Sequence, residues 1–149
     1  MRLIRLALPV LVCLAAAPAF AQELRATIGV PGHDDRVIVL SVDPAADRPS
    51  LDGCFTDHGG ICTRTRSVVL RPAARDALRG LLRAIQSMPL CEPVGFAPGD
   101  PEFSLHIPGE ARPRVGHLPR NPAEVAARTD EPCEAEHAIA AWLIRAFSR

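Results

Sequence analysis

The apolar positions change period along the chain, and the change marks out the elements. In ELRATIGV (Glu23–Val30), Leu24, Ala26, Ile28 and Val30 fall on every second residue, the spacing of a strand with one buried face. PGHDD (Pro31–Asp35) offers turn chemistry, a Pro-Gly pair followed by two aspartates. RVIVLSV (Arg36–Val42) is a nearly unbroken β-branched run, which suits a central strand. DPAADRPS is polar and punctuated by proline, and reads as a loop. Two further strands are expected to flank the stretch LDGCFTDHGGICTRTR (Leu51–Arg66), the second ending in SVVL (Ser67–Leu70).

At Pro72 the period lengthens. Ala74, Ala77, Leu78, Leu81, Leu82, Ile85 and Met88 recur at helical spacing, with Pro72 at the first position, where its missing N–H costs nothing. Pro89 stops this helix, and the proline- and glycine-rich stretch from Leu90 to Pro101 predicts an irregular loop. EFSLHI (Glu102–Ile107) returns to alternation. ARPRVGHL predicts an edge strand, because Pro113 cannot donate to a central ladder. NPAE (Asn121–Glu124) opens a short helix that stops before Thr129, with an N-cap Asn and a Pro behind it. A last helix is expected from near Pro132 to about Phe147, with Ala135, Ala138, Ile139, Trp142, Leu143, Ala146 and Phe147 as its apolar stripe. The order strands, helix, strands, helix predicts an α+β fold: an antiparallel sheet with one face covered by two main helices.

The first 21 residues change the picture from a fold to a compartment. MRLIR is basic, LALPVLVCLAAAP is apolar, and AFA precedes Gln22, the layout of a secretory signal peptide cleaved after Ala21. The uncharged run from Leu6 to Ala21 is 16 residues and contains Pro9, short of the roughly 20 a membrane span needs. Lipoprotein processing at Cys13 fits less well, because bulky Val12 precedes it and the AFA site then goes unused. Residues 22–149 then form a single exported domain, and no transmembrane segment is expected in it. Its 15 basic and 17 acidic residues give no global charge that would argue for nucleic acid or an anionic membrane. All basic residues are arginine, and there is no tyrosine. With the abundant Ala and Pro, this reads as the codon bias of a GC-rich bacterial genome, so "exported" means periplasmic or secreted.

Export gives the cysteines a role. The mature chain keeps Cys54, Cys62, Cys91 and Cys133, an even set that predicts two disulfides. Three connectivities are open to four cysteines. If residues 56–60 form a hairpin loop, Cys54 and Cys62 lie directly opposite each other, leaving Cys91 and Cys133 to tie one helix end to the other.

Candidate chemistry is sparse. Asp57-His58 and the Glu134/His137 pair each put a carboxylate near an imidazole, the raw material of a small hydrolase or a metal-handling site. One such pair supplies two ligands, whereas zinc normally takes three or four. There is no Gly-x-Ser-x-Gly, no Cys-x-x-Cys and no His-Glu-x-x-His, and no cofactor is expected. Two surfaces stand out instead. Asp57, His58, Gly59 and Gly60 would form a stapled hairpin tip. Arg75, Arg79 and Arg83 continue a row begun by Arg64, Arg66 and Arg71, suited to an acidic protein or an anionic envelope component. No aromatic residue is interleaved with it, so nucleic-acid stacking has no support. The expectation is a non-enzymatic periplasmic or secreted binding domain of accessory or inhibitor type.

Overall fold

A computed structural model describes residues 23–32, 36–57, 60–92, 99–120 and 133–148. The leader, residues 33–35, His58, Gly59 and the short helix expected at Asn121–Glu124 lie outside the described residues. Six strands, β1 (Leu24–Gly29), β2 (Val37–Val42), β3 (Ser50–Thr56), β4 (Cys62–Val69), β5 (Glu102–His106) and β6 (Arg114–His117), form one sheet. Its order is β4-β3-β2-β1-β5-β6, with every neighbouring pair antiparallel. Two helices, α1 (Pro72–Gln86) and α2 (Glu134–Ser148), complete an α+β fold carrying two disulfides.

Alternation in the sequence becomes register in the sheet. Ala26 pairs with Leu40 on one side and Leu105 on the other, and Ile28 pairs with Ile38 and Phe103, so the apolar positions of three strands share a face. Leu78, Leu82 and Ile85 of α1 and Ile139, Leu143 and Phe147 of α2 are buried with them in one core. Each such large side chain contributes about 2–3 kcal/mol by leaving water. Pro72 opens α1 as expected, but the helix ends at Gln86 and leaves Met88 47% exposed. The continuous apolar run of β2 also fits its place next to β1 at the middle of the sheet.

Gly53 sets how closely α2 approaches. A Cβ there would stand 2.5 Å from Leu40 Cδ2, 2.6 Å from the Val39 carbonyl oxygen and 3.2 Å from the Phe147 ring. The absent side chain lets Phe147 settle onto β3, where its ring also meets Phe55 at 5.3 Å between centroids. α2 starts over β6, where Glu136 meets Arg114, and finishes over β4, where the Phe147 carbonyl meets Arg66. It therefore crosses the sheet from one edge to the other. Among the described residues no helix is long and apolar enough to cross a membrane.

Candidate functional site

The hairpin tip is built from β3 and β4. The Cys54–Cys62 bond spans a sequence separation of 8, with the two Cα atoms 5.6 Å apart. The cysteines are not directly opposed. Cys54 pairs with Thr65 and Cys62 with Thr56. The turn closes at Asp57 and Ile61, which already sets Cys62 opposite Thr56, and a register shift between Phe55 and Thr56 moves the partner of Cys54 one residue further, from Arg64 to Thr65. A bulge there adds one residue to β4, and the bond runs diagonally across the irregularity. Beyond it, Asp57 closes the turn. Its N–H donates to the Ile61 carbonyl at 3.2 Å, its Oδ1 accepts from the Ile61 N–H at 3.2 Å, and its carbonyl accepts from the Gly60 N–H at 3.0 Å.

Gly60 has φ +73°, a left-handed conformation that an L side chain rarely adopts, and a Cβ there would meet only open space. The glycine thus serves the backbone, not a neighbour. Next to it, Ile61 is 68% exposed, matched among the described large apolar side chains only by Val69. The sequence pattern casts Ile61 as the residue closing the loop with Phe55, whereas it closes the turn with Asp57 and its side chain faces solvent. Its signal was present, an isoleucine placed between Gly60 and Cys62 in a tip too tight to bury it.

The arginine row lies at the other end of β3. Arg79 Nε donates to the Pro44 carbonyl at 2.7 Å, and Arg75 Nη1 reaches the Asp47 carbonyl at 3.5 Å. Arg75 also pairs with Asp76 through Nε at 3.1 Å. Arg83 is exposed, and its Nε donates to the Arg79 carbonyl at 3.3 Å. Arg75 and Arg79 are half-buried and hold the β2–β3 loop against α1, so only part of the row faces solvent alone. Seven residues of β3 separate this loop from the tip, about 20 Å at ordinary strand rise. The two candidate surfaces are therefore distinct.

Among the described residues, neither Asp57 nor the Glu134/His137 pair belongs to a metal-sized group of ligands. His58 lies outside the described residues, and Asp57 serves the turn. His137 stands edge-on to Phe103, with centroids 5.6 Å apart, while Glu134 is exposed at the start of α2. Among the described residues, no three His, Cys, Asp or Glu side chains come together as a metal-sized group.

Two other arginines carry more of the architecture than the row does. Arg114 of β6 is 4% exposed. Its guanidinium donates to Glu110 through Nε and Nη2, to Glu136 Oε1 at 2.8 Å, and to the carbonyls of Ile85, Met88 and Pro89. It thereby closes the C-terminus of α1 and joins it to the first turn of α2. The hydrogen bonds to Glu110 hold its pKa above the ordinary arginine value, against the opposing effect of burial and with help from Glu136. Cys91–Cys133 bridges the same two helix ends. Arg66 of β4 donates to the Phe147 carbonyl at 2.8 Å and closes the far end of α2. The chain matches no protein-family model, no curated protein and no solved structure.

Proposed function

We propose that this chain is an exported, non-enzymatic binding domain of a bacterial periplasm or extracellular space, acting as an accessory or inhibitor-type protein through its β3–β4 tip. The observation that carries this reading is the tip itself: a turn closed by Asp57, stapled by Cys54–Cys62, and presenting Ile61 to solvent at 68% exposure. A loop already held in one conformation loses little entropy when it docks, and an apolar side chain at its apex supplies an anchor. Asp57, Gly60 and Ile61 are the contacts, with His58 and Gly59 between them in sequence. Arg83, with Arg75 and Arg79 behind it, forms a secondary surface for acidic groups. The leader ending at Ala21 and the disulfides support export.

The test is capture from a bacterial envelope extract on immobilised residues 22–149, repeated with Ile61→Asp and with Arg83→Glu. Any retained protein is then purified and titrated against all three forms. The expected partner is lost with Ile61→Asp and weakened only a few-fold by Arg83→Glu, with unfolding midpoints unchanged because both side chains are exposed. A partner that binds the Ile61→Asp form as well as the native protein overturns the tip as the binding surface.

A further inference from the structure

The two edges of the sheet are treated in opposite ways. β6 has four residues, follows Pro113, and turns Arg114 inward to be buried, so it offers a short and interrupted edge. β4 has eight residues, Cys62–Val69, contains no proline, and among the described residues is paired only with β3. All of its residues except Arg66 and Val68 are exposed, and Val69 at its end is 68% exposed. Long edges of this kind present unpaired N–H and C=O groups and accept an added strand unless something blocks them.

The side chains of β4 say what that strand should carry. Arg64 pairs with Phe55 and Arg66 with Gly53, both opposite helix-side positions, so the two guanidinium groups line the helix-side margin of the edge. Arg64 is exposed, and half-buried Arg66, whose Nη1 already donates to the Phe147 carbonyl, keeps its other N–H groups for a second contact. Thr63, Thr65, Ser67 and Val69 alternate with them on the other face. A second copy of this chain is a poor occupant in the central registers. Antiparallel pairing about a two-fold axis at Thr65 sets Arg64 against Arg66 of the other copy. Moving the axis to Arg64 or Arg66 sets that arginine against itself, and like charges directly opposite destabilise a pair.

We propose that the β4 edge binds an extended acidic segment of a partner polypeptide as a seventh strand, with carboxylates two residues apart facing Arg64 and Arg66 and small or β-branched residues facing Thr63, Thr65 and Ser67. Main-chain hydrogen bonds supply the affinity and the alternate carboxylates the selection. This edge begins directly after the apex residue Ile61, but the inference rests on the strand edge and on Arg64 and Arg66, and it stands whether or not Ile61 binds anything.

The test uses residues 22–149 and fluorescein-labelled octapeptides alternating Glu with Thr and Val, read by anisotropy and by amide shifts of the protein. The acidic peptide is expected to bind, to shift the amides of residues 62–69, and to weaken as salt is raised. The same sequence with Lys in place of Glu is expected not to bind. N-methylation of alternate amides is expected to remove binding in one of its two phases only, because only one set of amides faces the edge. Arg64→Glu, at an exposed position that leaves the fold intact, is expected to weaken the acidic peptide by about tenfold or more. Several outcomes overturn the inference: equal binding of the Lys peptide, no loss in either N-methylated phase, binding to anionic lipid vesicles but not to the peptide, or a dimer of the protein alone that buries β4.

Discussion

The two disulfides have similar chemistry and opposite reach. Cys54–Cys62 spans a sequence separation of 8 within one hairpin, whereas Cys91–Cys133 spans 42 and joins the ends of two helices. By the chain-entropy argument the short bridge stabilises the fold by about 2.5 kcal/mol and the long one by about 4 kcal/mol. The short bond fixes the shape of a local surface at the end of one hairpin. The long bond works beside Arg114 and helps decide whether the helices stay together at all. A local staple prepares a contact, and a distant one maintains the core.

That contrast is open to direct attack. The largest effect is expected from Cys91→Ala with Cys133→Ala, about 4 kcal/mol lost in urea unfolding, with amide shifts of the β3–β4 tip unchanged. Arg114→Ala should follow at about 3 kcal/mol, because it leaves Glu136 buried without its cation; Glu110, more exposed, can return to water and limits the loss. If Arg114→Ala costs under about 1 kcal/mol, the guanidinium does not hold the helix ends together. Cys54→Ala with Cys62→Ala should lose about 2.5 kcal/mol, and it should raise hydrogen exchange at Asp57, Gly60 and Ile61 while leaving α1 and α2 protected.

The smallest effect concerns Asp52, on the sheet face away from the helices. Hydrogen bonds from Ser67 and Ser50 hold its carboxyl below the ordinary value of 3.8. A depressed folded pKa means its contribution is present above about pH 4 and fades as the pH falls through the folded value. Asp52→Asn should therefore change stability by no more than about 0.5 kcal/mol at pH 7, and the difference from the native protein should shrink in acid.

Much of this architecture was legible from local pattern. The alternation of Leu24, Ala26 and Ile28 and the stripe of Leu78, Leu82 and Ile85 each report a face that a neighbouring element must cover. Pro72 and Pro113 mark a helix start and an edge by what their backbone cannot do. What stayed hidden depends on partners far along the chain. Arg66 reaches Phe147 and Arg114 reaches Glu136, 81 and 22 residues away, and nothing beside either arginine announces the contact. The row at Arg75 and Arg79 was visible as charge, but its hold on the Pro44 and Asp47 carbonyls was not, since any polar loop supplies carbonyls. The diagonal placement of Cys54 and Cys62 was hidden for another reason. It depends on the turn closing at Asp57 and Ile61 and on a bulge between Phe55 and Thr56, and shifts of a residue or two leave no mark in the apolar pattern of so short a hairpin.

The crossing of α2 from β6 to β4 bears on how the molecule is assembled. This helix is the last element in chain order, yet its two ends are received by arginines from the two outermost strands. Until it docks, the face bearing Leu40, Gly53 and Phe55 lacks the Phe147 ring that covers it. The sheet is thus complete in hydrogen bonding before it is complete in burial. A chain synthesised from its N-terminus leaves that apolar face uncovered until the helix follows, so the closing helix, not the first hairpin, sets when the surface is protected from its neighbours.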